Sequence, residues 1–309
     1  MRRYIIRRLL LLIPSLLAVY TITFVVMHAT PGGPWDTSEK PLSAEVIANL
    51  NHQYHLDDPL WKQYLDYLWG VVRYGDFGPS YFNPTMGVSD IIVHFWPVSI
   101  QLGLVAMAFA LLMGLGLGVI SAVYHNSWLD YVATFCSIIG ISTPVYVVVT
   151  LLILVFAVDL RWVPTGGWGG IFSNRVWIPA MALAVGPGAL LARYTRSSML
   201  EVVCQDYIRT ARAKGLGERV VIVRHALKNA LIPVTTVAGI AFARVITGSF
   251  FVETIATVPG LGRYFVNSIN GRDYPVLMGT VLLYAFVIAL MNLAVDIAYA
   301  FLDPRVRYT

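Results

Sequence analysis

Enzymatic chemistry needs a nucleophile, an acid–base pair or a set of metal ligands, and this sequence arranges none of them. His28, His94 and His125 stand singly near the ends of apolar stretches, without metal-ligand spacing, so the default is a hydrogen-bonded interfacial imidazole. Cys136 lies in an apolar run and Cys204 among basic residues, which makes neither a disulfide framework nor a metal site. Neither H-E-x-x-H nor G-x-S-x-G occurs, and there is no G-x-x-x-x-G-K-[ST] loop to hold the phosphates of ATP. No catalytic residue, metal ligand or cofactor is therefore expected in this chain. What remains is charge in apolar company: Arg244 and Asp296 inside hydrophobic stretches, Asp159 and Glu253 at their ends. Burying a charge in hydrocarbon is costly, so such residues pair, anchor at the interface or line a wet pathway. Arg244, Glu253 and Asp296 are the candidate pathway residues. The guanidinium fork of Arg244 suits an anionic group such as a peptide carboxylate, and Asp296 suits pairing with a neighbouring helix.

The elements that must position these charges are membrane helices. Of 309 residues 57% are hydrophobic and 13% charged, a composition that points to lipid. The net charge of +5 sits in short runs between apolar stretches, as orientation signals do, and does not suggest nucleic acid. Six stretches are long and apolar enough to span: 9–29, 98–124, 131–158, 177–191, 231–252 and 276–302. The first follows Arg2, Arg3, Arg7 and Arg8 but is too long for a signal peptide and is read as a retained span. In the fourth, Gly186-Pro187-Gly188 predicts a kink, with the helix continuing past Arg193. Pro144 in the third and Gly114, Gly116 and Gly118 in the second suit kinking or close helix approach. Span five places Arg244 near its middle.

Basic residues orient the bundle. Arg193, Arg196, Arg209, Arg212, Lys214, Arg219, Arg224, Lys228, Arg305 and Arg307 join the N-terminal arginines on one side. Lys40, Lys62, Arg73, Arg161, Arg175, Arg263 and Arg272 fall on the other, over more loop. The asymmetry predicts both termini inside. It leaves 30–97 outside, an acidic segment with two short amphipathic helices. One starts near Ser43 and repeats Val46, Ile47, Leu50 and Tyr54. The other starts at Asp58-Pro59 as cap and first position and repeats Leu60, Trp61, Tyr64, Leu65 and Leu68. Their simplest role is to cover the outer face of the bundle, and a functional one is to receive a solute or a delivery protein. The organisation is thus 1–97, a span plus external segment, and 98–309, a five-helix core.

Within that core the loop 193–230 predicts helix, tight turn, helix, because helix formers flank Gly215-Leu216-Gly217. Such a stiff knob can pass a domain movement into the membrane, which suits a chain lacking its own energy source.

The residues of that loop carry a resemblance. Asp206-Tyr-Ile-Arg-Thr-Ala-Arg-Ala-Lys-Gly-Leu and His225-Ala-Leu-Lys-Asn-Ala-Leu-Ile-Pro resemble the cytoplasmic coupling motif of dipeptide and oligopeptide ABC importer permeases. Glu253-Thr-Ile, Pro259-Gly-Leu-Gly-Arg and Arg272-Asp-Tyr-Pro are similar to that family's stretch before its last span, and Pro31-Gly32 and Asp303-Pro-Arg-Val-Arg fit it as well. The resemblance implies an all-α protein of six transmembrane helices, with an external segment after the first and the coupling loop between the fourth and fifth. It implies work in the inner membrane beside a second permease, with two ATP-hydrolysing subunits that bind ATP and magnesium and an extracytoplasmic solute-binding protein. Arg209, Thr210, Ala211, Arg212, Ala213, Lys214, Gly215 and Leu216 would meet the ATPase, Ala211 as a small surface fitting a groove. Two departures stand out: the family's Pro-Gly-Asp-Pro reads Pro31-Gly32-Gly33-Pro34 here, and the segment before span four, 159–176, is short. Such permeases also serve importers of nickel complexes, glutathione or oligosaccharides. A secondary transporter would instead show repeated segments with broken helices in matching places, and no segment here has a second copy.

Overall fold

The computed structural model describes residues 2–37 and 42–302. Glu39, Lys40 and the tail motif 303–307 with Arg305 and Arg307 lie outside the described residues, as do the side chains of Arg2 and Arg3. The described chain is helical: α1 (Arg2–Ala29), α2 (Ala44–Gln53), α3 (Leu60–Tyr74), α4 (Val88–Val123), α5 (Trp128–Ser142), α6 (Val145–Leu152), α7 (Trp177–Val203), α8 (Asp206–Ala213), α9 (Glu218–Val220), α10 (Lys228–Ile246), α11 (Phe250–Ile255), α12 (Leu261–Gly271) and α13 (Tyr274–Leu302). Among the described residues five helices are long and apolar enough to cross a membrane, and α5 with the helix that follows makes a sixth if that bent pair counts as one span.

Span three is where the chain breaks. Thr143 is extended (φ −86°, ψ 124°) ahead of Pro144, as a residue before proline prefers, and Trp128–Ser142 and Val145–Asp159 meet at 111°. Helix α7 runs unbroken from Trp177 to Val203 with Pro187 inside it, so it continues past Arg193 as expected. Span five also differs from expectation. It runs from Glu218 to Ile246, and Gly248, at φ +85°, stops it before α11 starts on the Ser249 cap. Arg244 therefore lies in the last turn of α10 and not at mid-span, beside helix carbonyls that favour a cation.

The fold comprises two compact units: residues 1–98 with 260–289, and 99–259 with 290–309. In the first, Ser43 caps α2 as expected, its Oγ accepting the Val46 N–H at 3.4 Å. Asp58 does not cap α3; its carboxylate takes Lys62 Nζ at 2.9 Å. Helix α3 lies on α1, with Tyr20 Oη donating to Tyr64 O at 2.6 Å and Tyr20, Phe24, Tyr64, Tyr67 and Met278 in one cluster. The motif around Arg272 organises this unit. Asp273 is buried, accepts Ser80 Oγ at 2.5 Å and the Tyr81 N–H at 3.2 Å, and has its pKa raised by burial against the pull of those donors. Arg272 donates to Gly33 O at 3.3 Å and pairs with Asp36 at 3.8 Å, while Asp36 accepts the Gly33 N–H at 2.6 Å.

In the second unit α4 packs on α7 through small residues. A Cβ on Gly114 would lie 2.6 Å from Leu191 Cβ, and one on Gly118 2.5 Å from Thr195 Cβ, whereas Gly116 faces open space. His28 and His94 bond carbonyls one turn back, His28 to Phe24 at 2.8 Å and His94 to Asp90 at 2.9 Å.

Candidate functional site

The knob is built as helix, turn, helix. Helix α8 ends where the Gly215 N–H reaches Arg212 O at 2.9 Å, and Gly215 adopts φ +75°, a value that favours glycine. Gly217, at φ −59°, is an ordinary cap of α9, so only one of the two glycines is needed for the reversal. The bidentate contact of Arg212 with Glu218, 2.6 and 3.2 Å, staples the turn, although both groups are exposed enough that the pair adds at most about 1 kcal/mol. It also keeps the Arg212 guanidinium charged.

The inner face of α8 is Ile208 and Ala211, packed with Ala122, Met199, Val221, Ala226 and Ala230. Ala211 is only 6% exposed, so it cannot present a small surface to another chain as expected. Its size is required by the protein's own core, where the i, i+3 spacing from Ile208 places it. The outward face consists of Arg209, Thr210, Arg212, Ala213, Lys214, Gly215 and Leu216, all exposed.

A second feature lies on the wall made by α5, α6, α7 and α10. An open groove of about 750 Å³ is lined by apolar side chains with Thr143, Tyr194, Ser249 and the exposed Arg244, its one charged residue among the described residues. Thr143 enters from the break in span three, and a Cβ added at Gly186 would meet nothing within 4 Å, which leaves room there. Glu253 does not line this groove. Its side chain is fully buried, Oε2 accepts Ser99 Oγ at 3.1 Å, and Oε1 lies against Gly248. Asp296 is half-buried on α13 and does not line the groove either, and Asp159 is exposed where its π-helical stretch ends.

One residue pair escaped sequence reasoning. Asp130, its side chain 3% exposed, accepts Arg196 Nε at 2.7 Å and Nη2 at 2.8 Å, Ser121 Oγ at 2.5 Å and the Asn126 N–H at 3.0 Å. The pair fastens α5 to α7 one turn from Met199, which belongs to the cluster holding α8. Asp130 lies in the first turn of α5, outside the apolar stretch that marked the span. Its partner is 66 residues away.

Comparison with known proteins places the chain in a family. Residues 1–102 match the N-terminal model of the binding-protein-dependent transport system membrane component, and residues 114–308 match the binding-protein-dependent transport system inner membrane component. The chain belongs to that family. As a member it is a multi-pass inner membrane protein and a permease that works with other components of an ABC transporter. It is 47% identical over 307 residues to the dipeptide transport system permease protein DppB of Bacillus subtilis (strain 168), covering 99% of this chain and 98% of that one. It is 42% identical over 308 residues to the oligopeptide transport system permease protein OppB of Escherichia coli (strain K12), covering 100% of both. The fold is similar to a chain of the inward-facing MetNI methionine ABC transporter, with TM-score 0.59 and 19% identity over 69% of this chain and 96% of that one. Among the described residues no cluster of His, Cys, Asp and Glu could hold a metal ion.

Proposed function

We propose that this permease forms half of the pathway of an ATP-driven importer of di- and oligopeptides, beside a second, homologous permease. Two partner subunits bind ATP and magnesium and hydrolyse ATP, and a solute-binding protein delivers from outside. The carrying observation is the full-length likeness to relatives named as dipeptide and oligopeptide permeases. Both termini and the knob face the cytoplasm, following the basic residues of 193–230. In this reading residues 1–97 form the first span and its external segment, and 98–309 the five-helix permease core.

Arg209 to Leu216 engage the ATPase, Ala211 from within by holding Ile208 and its helix in place. The outward residues supply a positive, rigid surface whose base is tied into α4, α7 and α10, so a push on the knob is a push on those helices. Arg244 lines the pathway, where its fork can meet a peptide carboxylate in an apolar groove. Glu253 shapes that wall from behind Gly248, and Asp296 acts through a neighbouring helix.

The test is uptake by proteoliposomes holding the whole transporter. Labelled trialanine should accumulate only with ATP and binding protein, and unlabelled di- and oligopeptides should compete where a nickel chelate, glutathione or an oligosaccharide does not. Competition by one of those three alone would replace the peptide reading. Arg244→Ala should slow trialanine more than its carboxyl-amidated analogue. Equal slowing would remove Arg244 from carboxylate contact.

A further inference from the structure

Helix α3 follows the first span and by order belongs outside, yet its contacts lie well along that span. In α1 the last basic residue before the apolar run is Arg8. A hydrocarbon core of about 30 Å takes roughly 20 residues at 1.5 Å each, so its far boundary falls near His28 and Ala29. Tyr20 then sits on the order of 13 Å inside that boundary. It is Tyr20 and its neighbour that hold α3: Tyr20 Oη donates to Tyr64 O at 2.6 Å, and Thr21 Oγ1 lies 2.8 Å from Tyr64 Oη. The Tyr20 and Tyr64 rings are 4.8 Å apart.

The face of α3 turned away from α1 is also apolar. Trp61, Leu65, Trp69 and Val72 recur at helical spacing and are 67%, 52%, 61% and 72% exposed. Lys62 and Arg73 flank this stripe, and α1 beside it presents Ile22, Val25 and Val26 outward too. Fifteen residues, about 22 Å, cannot span the bilayer. Indole rings, aliphatic residues and flanking cations are the pattern of a helix lying within a membrane interface.

We propose that α3 is embedded in the leaflet at the Ala29 end of α1, with Trp61, Leu65, Trp69 and Val72 in contact with lipid. The proposal rests on α1 spanning the membrane and not on the solute carried. Its occupant is lipid because the helix on which α3 is docked is itself a span, and the stripe continues that span's exposed apolar surface. The segment after the first span is thus partly a membrane element. It widens the base of α1 in one leaflet and fixes the height at which the rest of the segment stands above lipid.

The test places single spin labels at Leu65, Val72, Lys62 and Arg73, with Cys136 and Cys204 replaced by serine, in the whole transporter. Vesicles are made of phosphatidylethanolamine and phosphatidylglycerol. Labels at 65 and 72 should collide freely with oxygen and little with an aqueous nickel chelate, and labels at 62 and 73 should favour the chelate. In a second measurement, brominated acyl chains should quench the fluorescence that separates the native protein from its Trp61→Phe/Trp69→Phe double variant. Free chelate access at 65 and 72 would put the stripe in water and overturn the proposal. Low collision with both reagents would mean a protein covers it, and would overturn it equally. An unquenched tryptophan difference would do the same for a chain whose labelled forms fail to assemble.

Discussion

Three glycines on α4 make a controlled experiment in packing. Gly114 and Gly118 face α7, where an added Cβ would come within 2.6 Å of Leu191 Cβ and 2.8 Å of Gly188 O, or within 2.5 Å of Thr195 Cβ and 2.7 Å of Ala192 O. Gly116 has nothing within 4 Å. Carbon atoms at rest sit about 3.5–4 Å apart, so either alanine must push α4 and α7 apart by roughly 1 Å. Part of the obstruction is backbone, which cannot rotate away. Overpacking of this kind costs about 1–3 kcal/mol, against a gain of about 1 kcal/mol in helix propensity on replacing glycine. Gly114→Ala and Gly118→Ala should thus lose up to about 2 kcal/mol each, and more if larger residues are used. Gly116→Ala should gain up to about 1 kcal/mol. Thermal unfolding of the purified protein in detergent reads the order directly. If the alanines at 114 and 118 are as stable as the one at 116, α4 and α7 do not meet as described.

Gly215→Ala should strain the turn at φ +75° by about 1–2 kcal/mol and speed tryptic cutting at Arg212 or Lys214 by about fivefold or more, while Gly217→Ser leaves the rate unchanged; equal rates would refute the turn. Arg196→Ala strands a buried carboxylate and should destabilise the protein by about 3 kcal/mol or more, with the exchange Asp130→Arg/Arg196→Asp recovering part of it in unfolding measurements. The raised pKa of Asp273 means that its folded form prefers the proton. Its stabilising contribution is therefore full below pH 3.8 and is lost as pH rises through the folded value. The unfolding midpoint of the native protein relative to Asp273→Asn should fall as pH rises from 3.8 toward neutrality, and a constant difference would exclude this titration.

What could be read from sequence was whatever depends on local pattern. Apolar length located the spans, the glycines of span two pointed to a close helix approach that Gly114 and Gly118 make and Gly116 does not, and helix formers around Gly215 described the knob. What could not be read depends on contacts across the chain. Pro144 breaks its helix and Pro187 does not, although both interrupt the same hydrogen-bond ladder. Thr143, ahead of Pro144, is extended and ends α5, whereas α7 stays helical through Pro187. Ala211 was expected at the surface because the family resemblance places it in the coupling motif, yet helical phase turns it inward with Ile208. The Asp130–Arg196 pair joins residues too distant to associate by spacing, and Glu253 is withdrawn behind Gly248, whose φ +85° also ends α10 earlier than the apolar run suggests. Helix α3 was read as outside from the basic-residue asymmetry and the order of spans, and its apolar repeat of Tyr64 and Leu68 marked a covering face, but the partner of that face, Tyr20, lies too far away in sequence to be read from spacing.

In the proposed function, ATP hydrolysis in a partner subunit reaches the membrane through the outward face of α8. A photo-crosslinking residue at Ala213, exposed on that face, and another at Phe172, 97% exposed in the loop before α7, probe opposite sides of the bundle without entering either core. In the assembled transporter the residue at 213 should capture an ATP-hydrolysing subunit and the one at 172 should not. Capture from 172, or none from 213 in a transporter that still moves peptide with ATP, would contradict the account.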